Sequence, residues 1–212
     1  MNARAQRFAP RSASDIAALI GAFPLAWVVS PGGGPGASTL LPLLAETDET
    51  GRTVALFGHF ARSTAQVAVL EADPRAQILF LGPNGYVSPR LVSKAGWAPT
   101  WNYAAVRFET EVRFHPEETE AAVWRLAQAL ESDHRPPWVP SRMGDRLKQL
   151  LPRIVAFRAR VIEAHAVFKL GQDETDAVFE EIVEGLQDHP LAELMRAQAD
   201  RGPPAPRPAR PR

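Results

Sequence analysis

The chain contains no cysteine. That excludes disulfide bonds, thiolate metal ligands and a cysteine nucleophile together, and it fits a reducing compartment. An excess of either charge is also missing: 24 Lys and Arg are matched by 24 Asp and Glu. A balanced chain has no whole-molecule attraction to nucleic acid or anionic lipid, so any such binding needs a local patch. Nor is there a long hydrophobic run. The longest uncharged apolar stretch covers residues 16–29 and is broken by Gly21 and Pro24, which is too short to span a bilayer. Arg4, Arg7 and Arg11 precede it, yet Asp15 sits at its edge and no Ala-x-Ala site follows promptly. A cytoplasmic protein without membrane insertion is expected.

Familiar catalytic spacings are absent as well. The five histidines, at 59, 115, 134, 165 and 189, form no His-x-x-x-His pair, so no metal site is expected. There is no Gly-x-Ser-x-Gly elbow, Walker loop or dinucleotide fingerprint. The glycine-rich run at 31–36 carries two prolines and runs toward a strand. It therefore reads as a turn rather than a phosphate cradle.

What is present is an ordinary globular composition, 45% hydrophobic and 23% charged over 212 residues. Six stretches have strand character: 25–30, 38–44, 53–59, 76–81, 106–114 and 154–170. The fifth is the clearest. Val106, Phe108, Thr110, Val112 and Phe114 alternate with Arg107, Glu109, Glu111 and Arg113, as an antiparallel sheet with one wet face requires. The last is too long for one flat strand, and its apolar register shifts near Val161-Ile162, where a bulge or a corner is expected. Helices are expected at 12–20, 63–71, 116–130, 142–151, 175–186 and 190–199. For the second, Ser63 and Gln66 have capping-box spacing. Residues 82–100 show no periodicity.

No regular strand–helix alternation exists, so a parallel doubly wound sheet is excluded. A mainly β chain with peripheral helices, an antiparallel barrel in one domain over residues 1–200, is expected. The last twelve residues hold five Pro and four Arg and read as a disordered tail.

Three segments depart from this background. Gly58-His59-Phe60-Ala61-Arg62-Ser63 lies between a strand and a helix, where Arg62 and backbone N–H groups suit a phosphate. Gly82 to Pro89, followed by Lys94, places Tyr86 and Ser88 after an apolar strand. Pro99-Thr100-Trp101-Asn102-Tyr103 sets two aromatics around an amide, a combination that can stack on a planar ring and bond its edge. Each also has a bland reading, as a capped helix, a turn and a strand start with buried aromatics.

In this order and spacing the segments resemble the PaiB-type FMN-binding negative transcriptional regulators. Pro24-Leu25, Pro136-Pro137-Trp138 and Lys169-Leu170-Gly171-Gln172-Asp173 extend the similarity across roughly residues 8–185. The resemblance implies an antiparallel split β-barrel of the FMN-binding type, a homodimer and a bound FMN. It maps cofactor contacts onto His59, Arg62, Tyr86, Ser88, Lys94, Thr100, Trp101, Asn102, Lys169 and Gln172. Departures from the family pattern fall at Ser63-Thr64, at Arg90-Leu91-Val92 and at Gly171 and Asp173.

Three functions follow as expectations: a flavin-binding protein, either an oxidoreductase or a flavin-linked negative regulator; a regulator or interaction protein without flavin; and a haem-binding or haem-degrading protein. Direct nucleic-acid binding has little support in the sequence and enters only through the family role. Arg142, Arg146, Lys148 and Arg153 form one modest basic stretch that reads as a solvated face.

Overall fold

The computed structural model describes residues 7–32, 34 and 36–199. The expected disordered tail, 201–212, lies outside the described residues.

Helix α1 (Ala13–Ala22) starts after Ser12, whose backbone N–H donates to Asp15 Oδ2 at 2.8 Å. Strands β1 (Leu25–Val29) and β2 (Ser38–Pro42) form an antiparallel hairpin, followed by β3 (Leu44–Thr47) and β4 (Thr53–Ala61). Helix α2 (Ala65–Ala72) leads into β5 (Arg75–Val87), and β6 (Thr100–Phe114) leads through a short turn into α3 (Thr119–Leu130). A six-residue helix α4 (Asp145–Leu150) precedes β7 (Ile154–Lys169), and α5 (Asp176–Leu186) and α6 (Pro190–Gln198) follow. The seven strands form one sheet in the order β2-β1-β5-β6-β7-β4-β3.

The expected single strand over 38–44 is thus two strands at opposite edges of the sheet. They are joined by Leu43, which is fully buried and donates its N–H to Pro24 O at 2.8 Å. Gly58 of β4 makes room for this corner: a Cβ there would lie 2.6 Å from Leu43 Cδ2 and 3.1 Å from Pro42 O. Gly58 is needed for close packing.

The alternation read in β6 is borne out, with Val106, Phe108, Thr110 and Val112 all buried. β5 is longer than expected because the turn-forming residues Gly82 to Tyr86 continue it. The capping box at Ser63 is not formed. Thr64 is the N-cap, and Gln66 is fully buried. Its amide nitrogen lies 3.0 Å from each of Val28 O, Ser30 Oγ and Ala37 O, so it holds the β1–β2 connection instead of its own helix end. The helix expected over 142–151 is split at Gly144, whose φ of +55° a continuous helix does not allow. β7 runs unbroken through Val161-Ile162, where the register shift was expected, and its pairing with β4 spans Ile154 to Arg160.

The chain divides into two compact units, one of Pro10–Gly82 and Ala105–Val167, the other comprising residues 7–9, 83–104 and 168–199 among those described. The larger unit is built on Ile20, Leu43, Leu56, Phe60, Ile78, Phe80, Phe108 and Phe157. Each such buried side chain contributes about 1.5–3 kcal/mol. On its flank, Glu46 accepts from Arg125 (2.9 Å) and Arg158 (3.0 Å), and both guanidinium groups lie over the Phe57 ring. Burial pushes the Glu46 carboxyl up, but the hydrogen bonds from the two arginines outweigh it, and the net displacement is downward. The smaller unit packs Leu170, Val178, Phe179, Ile182, Val183, Leu191 and Met195.

Candidate functional site

Eight of the ten expected contact residues fall in the smaller unit, and His59 and Arg62 fall in the larger. In the smaller unit the alternation of β6 decides which side chains are presented. Trp101 points outward and is 52% exposed; Asn102 points inward and is 1% exposed. Tyr86, near the end of β5, is 53% exposed, and its ring centroid lies 6.1 Å from that of Trp101 at 53°. The indole N–H donates to Asn84 Oδ1 at 3.2 Å, which fixes the ring. Two large aromatic side chains this exposed leave much apolar surface in water.

Lys169, at the last position of β7, donates to the Thr100 hydroxyl and to Trp101 O, the latter at 3.1 Å. No carboxylate pairs with it among the described residues. Its positive charge therefore stands beside the aromatic pair, held by neutral acceptors. Lys94 is exposed, and its side chain has no hydrogen bond or ion pair among the described residues.

Three expected contact residues have local structural duties. Ser88 Oγ accepts from Arg90 N at 3.2 Å and caps the turn Pro89–Leu91. The Gln172 side chain closes the turn after β7, accepting from Leu170 N at 2.7 Å and donating to Phe168 O at 2.5 Å. Asn102 donates its amide to Met195 Sδ at 3.7 Å.

In the larger unit, His59 Nδ1 is buried and meets no hydrogen-bond partner. Burial lowers the His59 pKa from its ordinary value, so the ring is neutral at pH 7. Arg62 follows β4 and donates its backbone N–H to Arg153 O at 2.8 Å. Its guanidinium is exposed, with no partner among the described residues.

A planar, anionic group fits these residues. Within the smaller unit Tyr86 and Trp101 offer ring faces, and Lys169 and Lys94 offer charge. Sequence reasoning missed one further feature: an apolar ladder on the outer face of the larger unit. Trp27 of β1 is 50% exposed and pairs across to Leu40 of β2 and Leu79 of β5, with Leu25 and Leu81 also exposed. The signal was available, because Leu25 to Val29 is apolar at every position whereas a half-wet strand alternates.

Comparisons with known proteins place this geometry. A family profile described as "Putative FMN-binding domain" matches residues 4–163. The protease synthase and sporulation protein PAI 2 of Bacillus subtilis is 27% identical over 146 residues, covering 65% of this chain and 70% of that protein. Among solved structures, the FAD and haem binding protein of Mycobacterium smegmatis superposes with a TM-score of 0.53 at 14% identity, covering 81% of this chain and 77% of the other. The conserved hypothetical protein Rv2991 of Mycobacterium tuberculosis gives a TM-score of 0.51 at 15% identity, covering 74% and 84%. Likeness at such identities shows the fold, and the family profile shows the rest: the chain belongs to the FMN-binding-domain family, with its antiparallel split-barrel fold and FMN as its cofactor.

Proposed function

We propose that this protein is a flavin-linked regulator that holds FMN against the Tyr86–Trp101 pair and works as a homodimer. The observation that carries this reading is the half-exposed aromatic pair beside the Lys169 ammonium. A stacked ring would cover apolar surface that is otherwise wet, and the adjacent charge favours an anionic ligand. FMN, when bound, supplies reversible electron-transfer chemistry. The chain's own part is to cover the ring with Trp101 and Tyr86, to set the Trp101 backbone through Lys169, and to meet the phosphate with Lys94.

A regulatory role is supported by the relationship to PAI 2, a protein named for protease synthesis and sporulation. Action through a partner protein agrees better with the chain than direct DNA contact. The net charge is zero, and Lys148 of the modest basic stretch is paired with Asp145 at 3.3 Å. Haem ligation has less support. His115, His134 and His165 face carboxylates, and the His189 ring accepts from Leu191 N at 3.1 Å.

The homodimer is supported by the exposed ladder of Leu25, Trp27, Leu40, Leu79 and Leu81. Contiguous apolar surface of that kind marks an interface, and a second copy can cover it symmetrically.

The test is a pair of titrations, with FMN and with riboflavin, which lacks the phosphate. A charge-assisted bond is worth about 1.5–3 kcal/mol, so Lys94→Ala should weaken FMN by about tenfold or more while leaving riboflavin nearly unchanged. Equal losses for both ligands would remove Lys94 from the phosphate. An FMN affinity unchanged in Trp101→Ala would remove the aromatic pair from the ring site.

A further inference from the structure

We propose that Met195 of helix α6 is a positioning residue for the Trp101–Lys169 site, a buried side chain that ties the start of β6 to the turn after β7. The role in flavin binding rests on the reading above; the structural joint does not. Met195 lies beyond residues 4–163, where the family profile matches.

The geometry is specific. Met195 is fully buried, and its sulfur receives the Asn102 amide at 3.7 Å. Its terminal methyl lies against Gly171, where a Cβ would be 3.3 Å from Met195 Cε and 3.2 Å from Phe179 Cδ2. Gly171 has φ +85°, so the turn that carries it is a conformation other residues resist. Asn102 is the neighbour of Trp101, and Gly171 follows Lys169 by two residues. The outer link between the same two segments is Lys169 donating to Trp101 O at 3.1 Å. Two ties therefore join β6 to the turn, one at the surface and one in the core. Sliding either segment breaks both.

The chemistry of the inner tie explains why methionine suits the position. A thioether is a weak acceptor, but a buried amide donor needs some partner, and an unbranched side chain can reach Asn102 and Gly171 together. Leucine would fill similar volume without the acceptor.

The experiment uses the full-length protein and two readouts. The near-ultraviolet circular dichroism of the ligand-free protein is compared for Met195→Leu in the parent and in a Trp101→Phe background. The expected result is a changed signal in the parent background that vanishes when Trp101 is absent, with the melting temperature close to that of the parent. FMN titration is then run on Met195→Leu, Asn102→Ala and the double variant. A single Met195→Leu change should raise the FMN dissociation constant about three- to tenfold, and the double variant should be no worse than Asn102→Ala alone, the mark of residues acting as one unit. The same dichroism change in both backgrounds, or losses that simply add, would overturn the proposal. If the parent takes up no FMN, the flavin reading fails while the dichroism still decides whether Met195 positions Trp101.

Discussion

His59 shows what one side chain contributes and when. Its ring is half-buried with Nδ1 buried and unpartnered, and burial lowers its pKa from the ordinary value of 6.5. The unfolded chain therefore takes up a proton near pH 6.5 that the folded chain takes up only at lower pH. Stability from this group is fully present above pH 6.5 and is lost as the pH falls below it. The lowered carboxyls of Glu46 and Glu118 act in a separate window, below their ordinary value of 4.5. The melting temperature should thus begin to fall as the pH drops below about 6.5, before the carboxylates titrate. His59→Gln should flatten that upper limb and leave the acid limb in place. Melting curves across this range check it, and an unchanged upper limb in the variant would show that His59 is not its source.

Gln66 is where an element depends on a residue that local pattern misplaces. Its amide ties the β1–β2 connection through Val28 O, Ser30 Oγ and Ala37 O. Gln66→Ala leaves those acceptors in the interior without their donor, so unfolding by urea should show a loss of about 1–3 kcal/mol. A loss near zero would mean water replaces the amide at no cost. The sequence suggested a capping role because Ser63 and Gln66 have the right spacing, and spacing carries no information about a partner 38 residues away in the chain. The same limit explains the other differences. Strand β6 was legible because its alternation is local, and α5 and α6 were legible from their flanking Thr175 and Pro190. The division at Leu43 was not, since its cause is a corner packed against Gly58 of another strand. Of the candidate site, Trp101, Tyr86 and Lys94 were legible as chemically apt groups, but their exposure was not, since the same segment also read as a strand start with buried aromatics. Asn102 looked equivalent to Trp101 beside it, and only the packing of α6 separates an outward ring from an inward amide.

At the scale of the whole molecule, the proposed homodimer rests on the apolar ladder. Leu25, Trp27, Leu40, Leu79 and Leu81 are exposed together on one face. These side chains are about half-exposed, so covering them recovers about half of the 1.5–3 kcal/mol that full burial of each is worth, a contribution in favour of association. Light scattering should give about twice the 23.2 kDa of one chain. Trp27→Glu places a charge at the centre of the ladder and should shift the mass to that of one chain, with the ligand-free fold retained because Trp27 is half-exposed already. A dimer that survives this change would place the interface elsewhere. No helix among the described residues is long and apolar enough to cross a membrane.

The central claim is that the chain holds FMN through the Tyr86–Trp101 surface, and one equilibrium measurement addresses it directly. Purified protein, stripped of any bound small molecule, is titrated with FMN while the flavin fluorescence is followed, with Trp101→Ala measured alongside at the same pH and salt. The account predicts saturable quenching by the parent protein, from the ring stacked on an aromatic face. It predicts an affinity about tenfold or more weaker in the variant, which should melt close to the parent because Trp101 is already 52% exposed. Quenching that is absent in the parent, or of equal affinity in both proteins, would contradict it.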